Sequence, residues 1–261
     1  MKGWYDRDLS SIVGFMSIDE FHFRDFSMRQ APSGQRVNTD SCVFGALIGR
    51  DARPERALDI GSGTGVLSLM LASRDSNVLI TAVEPELEIA EVAKQNFAAS
   101  PWHERIDLLT LRAQDLNPDI HGQFDFVFCN PPYFQNSMIS DDRLRTVARH
   151  NTSLSPGGLY QSMTPMISDN GTAWVSFPGD STRLWMEPGR GAGLHPLRCI
   201  TVKDHPDATA HMIVVGWSKQ RPEAIAEETV CYRESRNGKM SPWMIAFREE
   251  WYPARYNEQF K

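Results

Sequence analysis

Short apolar runs alternate along this chain with stretches that carry helical spacing. Ala57 to Ile60 reads as a strand, and Gly61-Ser62-Gly63-Thr64-Gly65 turns it into a helix bearing Val66, Leu67, Leu69, Met70 and Leu71. Val78 to Val83 is a second strand ending in Glu84-Pro85, followed by a helix from Glu86 to Ala98 with Leu87, Ala90, Val92, Ala93 and Phe97 on one face. Ile106 to Leu111 and Phe124 to Cys129 are expected as the third and fourth strands. Leu154 to Ile167 is expected as a helix, and Thr172 to Phe177 as the fifth strand. Cys199 to Lys203 and His211 to Trp217, joined through Pro206-Asp207, are expected to pair antiparallel at the sheet edge, and Ser241 to Trp251 to close the chain as an amphipathic helix. Strands alternating with helices predict a Rossmann-like α/β fold, a doubly wound, mostly parallel sheet in three layers with an antiparallel edge hairpin.

Length and composition narrow this picture. The 261 residues, 41% hydrophobic and 23% charged, are those of an ordinary globular chain without repeats. A net charge of −6 excludes a protein that coats nucleic acid indiscriminately, so any RNA contact needs a local basic patch. Cys42, Cys129, Cys199 and Cys231 form no C-x-x-C and read as reduced thiols of a cytoplasmic protein. The histidines lack ligand spacing, so no metal is expected. No apolar run suits a bilayer, and Trp4, Asp6 and Asp8 do not make a secretory leader. We divide the chain into an N-terminal extension (1–20), an arm closing over a cofactor (21–56), a catalytic domain (57–219) and a C-terminal extension (220–261).

The strand–turn–helix from Asp59 to Gly65 brings backbone close to a ligand. A dinucleotide fingerprint needs G-x-G-x-x-G, whereas the spacing here is D-x-G-x-G-x-G, that of S-adenosylmethionine enzymes, with Gly61, Gly63 and Gly65 as its glycines. Asp59 is expected to meet the methionine ammonium, Glu84 the two ribose hydroxyls, and Asp115 the adenine amino group. A turn cap is the plainer account of Asp115, and a solvated strand end that of Glu84.

The fourth strand runs into Asn130-Pro131-Pro132-Tyr133. Prolines remove backbone donors and leave carbonyl acceptors, and a residue before proline is held extended. Such a corner accepts two hydrogen bonds from a planar –NH2 while Tyr133, with Phe134, stacks on the ring behind it. It suits methylation of an exocyclic nitrogen by positioning and electrostatics. Arg143, Arg145 and Arg149 cluster nearby, either as phosphate contacts or as a solvated helix face. His22 and His150 read as structural or substrate-positioning residues.

From Phe21 onward the chain resembles the bacterial tRNA1(Val) adenine N6-methyltransferase family, among class I S-adenosylmethionine-dependent methyltransferases. The resemblance rests on Phe21-His22-Phe23-Arg24-Asp25-Phe26, Val37 to Ala46, Leu58 to Gly65, Ala82-Val83-Glu84, Ser100-Pro101-Trp102, Asn130 to Phe134 and Arg149 to Leu154. It implies methylation of N6 on the adenosine 3′ of the anticodon of a valine tRNA, and places Thr39 and Asp40 in a segment that closes over the cofactor. Gly189 to Gly193 departs from the pattern by interrupting a region expected to be helical, and Arg29 to Arg36 does not match closely. Three rival enzymes remain compatible with the motif: a protein-glutamine N5-methyltransferase, a DNA adenine methyltransferase and a ribosomal RNA guanine methyltransferase. A protein that binds cofactor and RNA without catalysis is the rival of another class; an intact Asn130-Pro131 argues against it.

Overall fold

The apolar runs become a single eight-stranded sheet, seen in a computed structural model that describes residues 20–31, 36–131 and 154–254. In chain order, a hairpin of β1 (Glu20–His22) and β2 (Ser27–Arg29) leads to α1 (Thr39–Leu47) and β3 (Arg56–Ile60). Next come α2 (Val66–Arg74), β4 (Leu79–Val83), α3 (Leu87–Ala99), β5 (Ile106–Leu109), the short α4 (Pro118–His121) and β6 (Phe124–Cys129). After residue 153 follow α5 (Pro156–Met163), β7 (Ile167–Pro178), α6 (Thr182–Gly191), β8 (His195–Lys203), β9 (Ala210–Ser218), β10 (Ala226–Cys231) and α7 (Pro242–Trp251). The large sheet has the order β10-β8-β9-β7-β6-β3-β4-β5, and only β9 runs against its neighbours.

Near-continuous apolar strands are what a sheet covered on both faces requires. One face packs Phe126, Phe128, Ile80 and Val214 against α1, α2, α3 and α7; the other packs Val127, Val175 and Trp217 against α5 and α6. The Phe21–Phe26 segment is a structural clamp. Phe23 stacks on Phe26 at 4.4 Å and on Tyr252 at 6.1 Å, and Arg24 N–H donates to Trp251 O at 2.8 Å, fastening the hairpin to the end of α7.

Several elements differ from expectation. The β8–β9 pair is antiparallel as expected but does not form the edge, because β10 adds parallel to β8. Its sequence, Ala-Glu-Glu-Thr-Val-Cys, has no apolar run because only Val230 is buried, and Glu228 is held by Arg50 and by Arg198 (2.7 Å). Gly189 does not interrupt α6. A Cβ there would lie 2.7 Å from the Trp217 ring, so glycine lets the helix settle on β9. The arm before β3 contributes, besides its hairpin, the helix α1, capped by the Asn38 side chain on Ser41 N–H at 2.8 Å.

Candidate active site

The carboxyl ends of β3, β4, β5, β6 and β7 share one end of the sheet, and Asp59, the Gly61–Gly65 turn, Glu84 and Asn130 lie there. Gly61, Gly63 and Gly65 all have positive φ (72°, 57° and 93°), which other residues adopt only with strain. Their reasons differ. A Cβ on Gly65 would sit 2.3 Å from the Phe97 ring, whereas one on Gly61 or Gly63 would point into open space. Gly65 therefore closes α2 onto α3, and the other two face open space at the carboxyl end of the sheet.

Four of the five backbone donors of this turn are used internally. Gly61 and Ser62 N–H donate to Val83 O, Gly65 N–H to Ser62 O, and Gly63 N–H to Glu84 Oε2 at 2.9 Å. A phosphate-binding turn presents such groups to its anion, so this one does not suit a pyrophosphate. Glu84 is buried, and its Oε1 also accepts from Glu86 N–H at 3.0 Å. Burial raises its pKa against these two backbone donors. Each carboxylate oxygen keeps a further lone pair, so the group fits a ligand diol.

Asp59 is fully buried beneath the turn. Its Oδ2 accepts from Ser68 Oγ at 2.7 Å, and Oδ1 has no hydrogen-bond partner among the described residues. Burial pushes its carboxyl up to about 7, with the Ser68 contact opposing. A buried acceptor without a donor, next to a cleft edged by Cβ-free residues, fits a cationic amine. Asp115 lies exposed in the 3-10 turn Ala113–Asp115 that follows β5.

Asn130 follows β6, half-buried, with Pro131 buried behind it. Ser176 Oγ donates to Asn130 Oδ1 at 2.5 Å, and Asn130 Nδ2 donates to Ser41 Oγ at 3.0 Å. Ser41 Oγ in turn donates to Asn38 Oδ1 at 3.1 Å. Thr39 and Asp40 thus begin a helix whose first turn braces Asn130, and Asp40 Oδ1 lies 3.6 Å from His211 Nε2. His22 contacts Ser27 Oγ at 2.7 Å within the hairpin. Pro132, Tyr133, Phe134, Arg143, Arg145, Arg149 and His150 lie outside the described residues.

The sequence alone does not mark Ser41, Ser68 or Ser176 as site residues. Ser176 and Ser68 each stand out only as one hydroxyl inside an apolar run, Ala173–Phe177 and Val66–Ala72; Ser41 lies within the Val37–Ala46 segment with no local sign of its role. The described residues hold no group of three potential metal ligands and no helix long and apolar enough to cross a membrane.

A doubly wound sheet with this glycine turn, a buried acid after β4 and Asn-Pro after β6 defines an S-adenosylmethionine-dependent methyltransferase. The methyltransferase small domain family matches residues 33–162. A tRNA1(Val) (adenine(37)-N6)-methyltransferase of Tolumonas auensis is 32% identical over 91% of this chain and 98% of its own. The enzyme of that name from Trichodesmium erythraeum is 32% identical over 79% of this chain and 87% of its own. A solved structure described as a predicted O-methyltransferase from Agrobacterium tumefaciens shares the fold, with a TM-score of 0.62 at 16% identity over 80% of this chain and 95% of its own. The chain belongs to the tRNA1(Val) (adenine(37)-N6)-methyltransferase family.

Proposed function

We propose that this protein methylates N6 of adenosine 37 in a valine tRNA, in the cytoplasm, using S-adenosylmethionine. The observation that carries the reading is the braced Asn130 amide at the end of β6, with the Gly61–Gly65 turn and Glu84 alongside at the ends of β3 and β4. In this reading Glu84 takes the ribose hydroxyls, Asp59 the methionine ammonium and Asp115 the adenine amino group, while Gly61 and Gly63 leave room for the donor and Thr39-Asp40 border it. The cofactor supplies an electrophilic methyl on a sulfonium.

The protein's part is positioning. The lone pair of N6 is delocalised into the purine ring, which makes it a weak nucleophile. Asn130 Oδ1 and the Pro131 carbonyl accept from its two N–H groups, orient it and favour pyramidalisation. Tyr133 and Phe134 stack on the extruded base, with Pro132 stiffening the corner. Arg143, Arg145 and Arg149 are assigned to tRNA phosphates.

Labelled methyl transfer to purified valine tRNA, DNA and a release-factor protein, with the product identified by mass spectrometry, tests the reading. N6-methyladenosine in the tRNA alone is expected; label in protein glutamine or in DNA overturns it.

A further inference from the structure

Beyond Asn130 the same end of the sheet holds a cavity of about 460 Å³ lined by Pro178, Gly179, Asp180, Thr209, Ala210 and His211. It lies between the end of β7 and the start of β9, which are neighbours in register, with Pro178 opposite Met212. Two of its lining residues pack closely, since a Cβ on Gly179 would lie 2.3 Å from Ala210 O. Two separate connections join the cavity to the Asn130 corner. Along β7, Pro178 is two residues past Ser176, which donates to Asn130 Oδ1. Along α1, Asp40, 3.6 Å from His211, precedes Ser41, which accepts from Asn130 Nδ2.

The geometry points to this cavity as a second nucleotide subsite, one that receives a base flanking the target adenosine. The inference rests on the RNA reading above. A base gripped by Asn130 does not lie within the cavity, because neither Asn130 nor Ser176 lines it. Single-stranded loop nucleotides are splayed apart on recognition, so a covalently linked neighbour of the held base can enter a pocket on the adjoining strand. The volume can take one nucleoside, with one side open to solvent.

The lining indicates which part of the nucleotide enters. Asp180 and the nearby Asp40 would repel a phosphate but accept hydrogen bonds from base N–H groups. The Thr209 hydroxyl adds a donor and acceptor, and the His211 ring, 5.0 Å from Tyr232, adds a flat wall. A base with amino or imino N–H groups matches this set better than a phosphodiester.

The test is a comparison of enzyme and RNA changes on full-length valine tRNA joined from two fragments. The nucleotide on the 5′ or the 3′ side of the target adenosine is replaced by an abasic ribose. Asp180 and Thr209 are exposed, so the double variant Asp180→Ala, Thr209→Ala is expected to fold normally. On intact tRNA the variant should raise KM by about 10-fold, as for a polar contact left unmade, with kcat and cofactor affinity unchanged. On one of the two abasic tRNAs, wild type and variant should share the same raised KM. Equal KM for both proteins on intact tRNA overturns the subsite, as does a loss that persists at full size on both abasic tRNAs. If wild type does not methylate intact tRNA, the RNA reading itself fails, and the subsite fails with it.

Discussion

Ser176 Oγ donates to Asn130 Oδ1 at 2.5 Å from a position in β7 with no solvent exposure. Ser41 Oγ, whose own proton goes to Asn38 Oδ1, accepts from the other end of the same amide, and this chain of donors orients the Asn130 oxygen and nitrogen. A correctly turned amide is worth most in the transition state, when the N6 protons become more acidic. Ser176→Ala should therefore lower kcat about 10-fold, the loss of one buried hydrogen bond. KM for tRNA and cofactor affinity should stay within about twofold. Single-turnover kinetics with calorimetric cofactor binding checks this; unchanged kcat would reduce Ser176 to packing. Asn130→Ala should abolish turnover with cofactor affinity unchanged, and adding Ser176→Ala to it should change nothing further.

Asp59 makes stability depend on pH. Its folded carboxyl titrates at about 7, well above the ordinary value of 3.8, because burial penalises the anion. The folded state then holds a proton that the unfolded chain releases first. That stability is complete below pH 4 and is lost as pH rises to about 7. Asp59→Asn keeps an acceptor for Ser68 but cannot ionise. The Tm of the cofactor-free wild type, minus that of the variant, should fall between pH 5 and pH 8 in a thermal unfolding series. A flat difference would place the ionised form in the folded protein throughout.

Much of this was legible in the chain because it is local. The alternation of β3 to β6 with helices, the glycine turn and the Asn130-Pro131 corner are each carried by neighbouring residues. What was hidden depends on long sequence separations. Ser41 and Ser176 meet Asn130 from 89 and 46 residues away, and nothing in their own neighbourhoods announces it. The edge strand β10 is not legible as an apolar run because Glu228 is held by ion pairs to Arg50 and Arg198 and only Val230 is buried. Gly189 misled for a related reason. It reads as a helix breaker, but the Trp217 ring 28 positions later requires the missing Cβ.

The glycines of the turn should separate into structural and cleft-facing positions. Gly65→Ala combines a φ of 93° with a Cβ driven to 2.3 Å from Phe97, which is itself buried between helices. It should cost about 2–4 kcal/mol, from backbone strain and overpacking together. Gly61→Ala carries a φ of 72° but meets nothing, so about 1 kcal/mol of strain is expected. Its larger effect should be on cofactor affinity, through the space the methyl occupies. Urea unfolding paired with calorimetry distinguishes them; equal stability losses in the two variants would contradict the division.

Glu84 joins the proposed cofactor site to the glycine turn. Its two oxygens accept from Gly63 N–H at 2.9 Å and Glu86 N–H at 3.0 Å, leaving one lone pair on each for a ribose hydroxyl. Glu84→Ala removes the ligand acceptors and also orphans the Gly63 N–H. The hydrogen bonds lost from a charged acceptor should weaken cofactor binding by about 1.5–3 kcal/mol. Glu84→Gln keeps one acceptor oxygen but turns an N–H2 towards either Gly63 or Glu86, donor against donor, so its loss should approach that of alanine. Because the hydroxyl contacts belong equally to the bound ground state and the transition state, kcat at saturating cofactor should change little. Calorimetry of both variants with S-adenosylmethionine and with its demethylated product checks this. Wild-type affinity in either variant would remove Glu84 from the ribose and leave it as the brace of the glycine turn.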